Sequence, residues 1–278
     1  MTLRSARTDC IEVFLAKAYT SLTHNFISAC RDVSAIVCVT QSQSRRIPNL
    51  AANVQAALSI GVNVLALDLI DGCNGFIKAL RIADAVLAPG EKALIVSGEL
   101  NSPMVKEAEL GTKILFGDGF AFTLVERDEE SAPAMIKNDG VRGPFIDAMF
   151  LNPLLRMNGF EVFRFTNTEV PKLVKACTWT DPNERESSDI FALHQASKLV
   201  VHQIAKRLGI LEQRPPVFSM ETIGNLASGS IPAWVALNGD LIAPDCKVHC
   251  VGFGAGLSWG LVTVNNSLIE NGVDYVDV

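Results

Sequence analysis

The sequence predicts an α/β protein made of two structurally similar halves, each a mostly parallel sheet covered by helices on both faces. Three observations predict it. Helical segments alternate with short strand-like runs, those runs are apolar almost throughout, and the order helix, strand, helix, strand, helix, strand, strand occurs twice. Strands that are apolar on both sides need cover on both sides, which a parallel sheet supplies. The two passes share little sequence identity, so the repeat is one of structure.

The first half opens with an amphipathic helix over residues 10–23, followed by a buried strand over 33–40. A second helix covers 49–60 and ends at Gly61. Then come a strand over 62–70, a helix over 74–88, and strands over 92–100 and 121–128. A polar, turn-rich linker, "ERDEESAPAM" at 126–135, divides a half over 1–130 from one over 131–278. The second half reads as a helix over 159–179, a strand over 189–195, a helix over 197–210 and a strand over 216–221. A helix near 228–241 and strands at 247–254 and 257–264 complete it.

Composition narrows the function. A chain of 278 residues with 49% hydrophobic and 19% charged residues buries much of its surface between halves or subunits. The net charge of −6 argues against nucleic acid or an anionic membrane as the main partner. Seven scattered cysteines without CxxC spacing and four dispersed histidines give no metal site and fit a reduced, cytoplasmic protein. The start "MTLRSARTDCIEVF" has no apolar core of a signal peptide. Residues 248–269 lack charge, but repeated glycines and strand-like alternation speak against a membrane span.

In such a fold, functional groups gather on loops at the carboxyl ends of strands. "LDLIDGCNGFIKAL" places Cys73 between a strand and a helix start, where the helix dipole favours a thiolate nucleophile. The alternative there is a small buried cysteine. His194 in "LHQAS" directly follows an apolar strand and can donate to a developing oxyanion, or simply pack. Asn225 in "IGNLASGS" offers a neutral amide N–H to the same oxygen, or caps a turn. In the small-residue loop "VGFGAGLSWG" the backbone N–H of Ala255 can approach a thioester carbonyl.

Taken in order, "DGCNGF", "ILFGDGFAFTLVE", "RMNGFEVFRF", "LHQAS", "ETIGNLASGSIP" and "GFGAGLSWG" resemble the thiolase superfamily, specifically beta-ketoacyl-acyl-carrier-protein synthase III. The resemblance implies thiolase-like duplicated halves in α-β-α-β-α layers. It implies Cys73 as the acyl-accepting nucleophile, His194 and Asn225 as the pair that activates a malonyl thioester for decarboxylative Claisen condensation, and the N–H groups of Cys73 and Ala255 as an oxyanion hole. Gly159 and Phe163 would line a pantetheine channel. Lys198, Lys206 and Arg207 would dock an acidic acyl carrier protein. Acyl-coenzyme A or acyl-carrier phosphopantetheine would be the substrate, with no permanently bound cofactor, in a homodimer. Asn225 separates the chain from elongating synthases, which carry a second histidine there. Cys250 lies two residues too early to be the second cysteine of degradative thiolases.

The chain also departs from the family pattern. It begins near the family's first long helix, so the first edge strand and the loop that helps hold the coenzyme A nucleotide are absent. Ser197 stands where asparagine is usual, Leu226 where threonine is common, and Ala255 in place of glycine. Ile47 occupies a region that reaches into the partner subunit's acyl pocket in the family, and would reshape that pocket. The expected activity is ketoacyl-synthase-III-like, in fatty acid, polyketide or related specialised biosynthesis. Acyl transfer to an alcohol or amine without decarboxylation is one alternative; a non-catalytic partner of a full-length synthase is the other.

Overall fold

The computed structural model describes residues 8, 10–127, 136–141, 143–152, 154–178, 189–211, 216–243 and 246–265. The first half runs α1 (Ile11–Ser21), α2 (His24–Ala29), β1 (Ala35–Val39), α3 (Leu50–Ala57), β2 (Leu65–Leu69), α4 (Gly75–Val86), β3 (Lys92–Glu99), α5 (Asn101–Val105), α6 (Leu110–Lys113) and β4 (Gly119–Glu126). The second runs β5 (Ile136–Val141), β6 (Met149–Leu151), β7 (Leu155–Met157), α7 (Gly159–Thr178), β8 (Ile190–Leu193), α8 (Lys198–Leu208), α9 (Met220–Ile223), α10 (Ser230–Leu237), β9 (Lys247–Gly254) and β10 (Ser258–Asn265). The divide expected at 130/131, and most of the linker, lie outside the described residues.

Each half builds a four-stranded sheet, β2-β1-β3-β4 and β5-β10-β9-β8, and β6 pairs with β7 in a separate hairpin. β1 is parallel to β2 and β3, while β4 returns antiparallel to β3. β8 is parallel to β9, and β10 is antiparallel to both β9 and β5. The run β1-β3-β4 therefore matches β8-β9-β10 in direction, and β2 has no counterpart beside β8 among the described residues. β10 carries β5 on its outer side, whereas no strand among the described residues covers the corresponding side of β4.

Three apolar cores bind five layers. Ile11, Leu15 and Val54 pack α1 and α3 on one face of the first sheet, against Ile36 and Leu94. Ile77, Leu80, Ile231 and Trp234 of α4 and α10 fill the space between the sheets, meeting Val37 and Ile95 on one side and Val248 and Cys250 on the other. Val170, Val174, Val201 and Ile204 of α7 and α8 cover the outer face of the second sheet. All five residues of β1 are buried, the burial a two-faced sheet imposes on its central strand. No helix among the described residues is long and apolar enough to cross a membrane.

Local chemistry fixes the helix starts. Asn49 caps α3 by accepting from Ala52 N–H at 3.2 Å, and Asp68 of β2 accepts from Leu50 and Ala51 N–H at 2.6 and 2.9 Å. Ser197 accepts from Val200 N–H at 3.3 Å to cap α8, which ends at Gly209 with φ 72°.

One expected strand is absent. Residues 217–219 join no sheet, and a helical turn starts at Met220. The backbone of this segment is claimed by side chains: Trp234 Nε1 donates to Val217 O at 3.0 Å, and Ser219 N–H donates to Gln195 Oε1 at 3.1 Å. Gly224, at φ 76°, then ends the turn in a conformation that favours glycine.

Candidate active site

Cys73 lies in the turn between β2 and α4, where the sequence reading puts it, and is 5% exposed. Two glycines make room for it. A Cβ on Gly75 would come within 2.4 Å of Val39 Cγ1, so only glycine lets α4 start this close to β1. A Cβ on Gly254 would stand 2.6 Å from Cys73 Cβ and 3.2 Å from its Sγ, so the end of β9 abuts the cysteine directly. The thiol is thus held between the halves, and Ser228 Oγ ties them again by donating to Val39 O at 2.9 Å. Gly254→Ala is expected to push the thiol out of position. Alkylation of Cys73, followed on its own peptide by mass spectrometry, should change at least tenfold in rate while the variant still melts cooperatively.

Asn225 sits in the equivalent corner of the second half and is 4% exposed. Its Oδ1 accepts from Ala227 N–H at 2.9 Å and from Ser230 Oγ at 3.1 Å, which orients the amide and turns its NH₂ group away from both donors. Its backbone is fixed from the first half. Asn225 N–H donates to Leu115 O at 2.8 Å, and its carbonyl accepts from Gly117 N–H and from Asn101 Nδ2 at 3.1 and 3.2 Å. A Cβ on Gly117 would fall 2.0 Å from Ile223 O, which explains a glycine at this crossing.

His194 follows β8 and is 1% exposed. Its backbone N–H donates to Val251 O at 2.9 Å, and its ring stands edge-on to Phe253 at 5.2 Å. Neither ring nitrogen has a hydrogen-bond partner among the described residues. A buried, unsatisfied imidazole costs free energy unless something else uses it.

A pocket opens over Cys73, with Gln41, Gly72, Asn101 and Ala227 at its polar end and Ala255 in its wall. Phe116, Met104 and the β6–β7 hairpin, through Met149, Phe150, Leu151 and Leu155, make the rest apolar. Cys73 and Ala255 therefore share one pocket. His194, directly after β8, and Asn225, two residues before Ala227, are not part of this lining. Ser258 Oγ donates to Ala255 O at 2.8 Å and orients that peptide.

The remaining expected residues lie outside this lining. Gly159 begins α7 in an exposed position, and Phe163 packs half-buried on the outer core. Ser197 is spent on capping α8. Ile47 is 88% exposed. Lys198 is paired with Glu221 at 2.7 Å and lies 5.1 Å from the Phe218 ring, whereas Lys206 and Arg207 are exposed in the last turn of α8. Gln41, Asn101 and the hairpin residues escaped the sequence reading. Asn101, which opens α5 two residues after β3 ends, was the legible one, being a polar residue near a strand's carboxyl end.

The electrostatics differ from expectation at Cys73. Burial pushes its thiol up to about 12, and the carboxylates of Asp71 and Glu99 add to the rise. Desolvation outweighs the helix dipole, so the resting group is a thiol. Burial also pulls His194 down to about 3, leaving a neutral imidazole. Glu99, fully buried at the end of β3, is raised to about 8 by burial. Its carboxyl accepts from Thr40 Oγ1 at 2.9 Å, Ser42 Oγ at 2.6 Å and Gln41 N–H at 2.9 Å, and so fixes the loop that carries Gln41 into the pocket.

A group raised on folding contributes stability that is complete below its unfolded value and is lost as pH rises through the folded one. For Glu99 that window runs from 4.5 to about 8. Glu99→Gln should remove this loss. The variant's melting temperature should gain on the parent's steadily from pH 5 to pH 8.5, measured by thermal denaturation.

Comparison with known proteins places the chain among related sequences and folds. Residues 67–140 match the family model described as 3-oxoacyl-[acyl-carrier-protein] synthase III, and residues 183–265 match that of its C-terminal part. A beta-ketoacyl-[acyl-carrier-protein] synthase III of Lactococcus lactis is 31% identical over 255 residues, 84% of this chain and 78% of the relative. One from Streptococcus gordonii is 32% identical over the same shares. The crystal structure of a 3-oxoacyl-(acyl-carrier protein) synthase from Burkholderia xenovorans superposes with a TM-score of 0.79 at 26% identity, covering 97% of this chain and 84% of that one. The Thermus thermophilus synthase III structure gives 0.76 at 28% identity, with 90% and 82% covered.

Proposed function

Because the chain belongs to the 3-oxoacyl-[acyl-carrier-protein] synthase III family, we propose that it is an acyltransferase that takes an acyl group onto Cys73 and condenses it with a malonyl thioester. The observation that carries this reading is a buried thiol under an apolar pocket, backed by a buried imidazole with neither nitrogen partnered among the described residues. The apolar hairpin and Phe116 suit a hydrocarbon chain. The family relation favours fatty acid biosynthesis or a related pathway.

Two half-reactions follow. Cys73 sulfur attacks the carbonyl of an acyl thioester, from coenzyme A or a carrier phosphopantetheine, while the backbone N–H groups of Cys73 and Ala255 donate to the oxyanion. The old C–S bond breaks, and the proton leaving Cys73 ends on the departing thiol. A malonyl thioester then binds. His194, through the one N–H of its neutral ring, and the Asn225 NH₂ group donate to its thioester oxygen. The carboxylate leaves as carbon dioxide, and the resulting enolate attacks the acyl carbon on Cys73. Its sulfur departs as thiolate and is reprotonated. Neutral donors suit this step, because they stabilise a developing negative charge without needing to gain or lose a proton first.

A homodimer accords with the edge of β2, which pairs with no further strand among the described residues and where Val62, Leu65 and Ile70 are exposed beside the Ile47 loop. Lys206 and Arg207 are the better candidates for carrier docking, since Lys198 is already paired. Seven free cysteines suit a cytoplasmic setting. The deciding experiment mixes the protein with acyl-coenzyme A and with acyl-carrier thioesters, reads the intact mass, then adds malonyl-carrier and measures carbon dioxide. An acyl adduct consumed with release of carbon dioxide supports condensation. An adduct consumed by an alcohol or amine without carbon dioxide replaces it with simple acyl transfer, and no adduct from any donor overturns both.

A further inference from the structure

We propose that Asp71 and Lys78 are positioning residues for Cys73: Asp71 adds to burial in holding it as a resting thiol, and Lys78 limits how strongly it does so. The inference rests on the reading of Cys73 as the nucleophile, and it starts from where the two charges lie. Asp71 stands two residues before the cysteine, at the amino end of the twelve-residue helix α4. Its Oδ1 accepts from Gly72 N–H at 2.8 Å, and its Oδ2 pairs with Lys78 Nζ from the first turn of α4. Only 12% of the Asp71 side chain and 29% of the Lys78 side chain are exposed, so water screens the pair weakly. A carboxylate at that position answers the positive end of α4, the charge that would otherwise favour a thiolate on Cys73.

The surroundings leave few other charges to do this. From β3, Glu99 is the second carboxyl acting on the thiol, and burial keeps much of its population neutral near pH 7. From the end of β8, His194 is neutral. The end of β9 brings Gly252 and Gly254 against the corner. Asp71 is consistent with this placement among the causes of the raised thiol, second to burial. A thiol kept protonated at rest is poorly reactive towards oxidants and stray electrophiles. Acylation then proceeds when a bound thioester supplies both the electrophile and a leaving sulfur to receive the proton.

The test is the pH–rate profile of Cys73 alkylation by iodoacetamide, read on the Cys73 peptide, for the parent, Asp71→Asn and Lys78→Met. Asn keeps the acceptor for Gly72 N–H and removes only the charge. Asp71→Asn should shift the profile to lower pH and raise the rate at pH 8 about tenfold. Lys78→Met, which leaves Asp71 unopposed, should shift it to higher pH and slow the reaction. Shifts of opposite sign support the proposal. Shifts of the same sign, or rates within twofold of the parent in both variants, overturn it. Lys78 lies near the surface, so its variant keeps the test decisive if Asp71→Asn folds poorly: a slower profile shifted to higher pH then supports the proposal, and an unshifted one overturns it. Alkylation needs no acyl donor, so a failure here is distinct from a failure of the condensation reading, which shows as a missing acyl adduct on the parent protein.

Discussion

Cys73→Ala is expected to lose the acyl adduct completely while the fold persists. The side chain is small and almost fully buried, and removing its sulfur costs about 1 kcal/mol, within the tolerance of a domain this size. Without the sulfur there is no nucleophile in the pocket floor, so intact mass after incubation with any thioester donor should show unmodified protein. The control is built into the chain. Of the seven free cysteines Cys10 alone is not fully buried, and an adduct that survived in the variant would map to it or to another of the six. Such a result would move the nucleophile elsewhere and sink the site. Circular dichroism melting should place the variant within a few degrees of the parent.

His194→Ala separates the two half-reactions. The imidazole is proposed to act on the malonyl thioester rather than on Cys73, so the variant should still accumulate acyl-enzyme. Carbon dioxide release from malonyl-carrier should fall by about 10²–10³, the usual cost of losing one oxyanion donor. Since burial holds the parent ring neutral down to about 3, decarboxylation should show no step from this imidazole between pH 5 and pH 8. If acylation fell in parallel with carbon dioxide release, His194 would instead be the base for Cys73, and the division of labour would be overturned.

The positions of Cys73 and His194 between strand and helix were legible because each follows a strongly patterned strand, whereas Asn225 stood out only by its small-residue loop ahead of a helix. An apolar strand that stops at a polar residue and restarts as a helix is visible in a single sequence. The electrostatics were not. The helix dipole at Cys73 can be read from position, but the burial that overrides it includes the end of β9, which lies far away in the chain. The same holds for the pocket wall. β6 and β7 have three residues each, too few for periodicity to register, yet Met149, Phe150, Leu151 and Leu155 shape the site. The strand expected over 216–221 failed for a related reason. Trp234 and Gln195 take the hydrogen bonds a sheet would need. The two helix-covered sheets followed from alternation and duplication, because burial on both faces leaves a strong compositional mark, while the layer order came with the family resemblance.

The middle layer has a consequence of its own. α4 belongs to the first half and α10 to the second, and together they furnish one core that both sheets share. Neither half can therefore lose its structure without stripping the other of a wall, so the duplicated units melt as one cooperative block rather than in sequence. Although the chain repeats a motif, thermodynamically it does not behave as two modules. A severed half would present Ile77 and Leu80, or Ile231 and Trp234, to water, and dividing the gene at the linker would yield two insoluble fragments that fold only on each other.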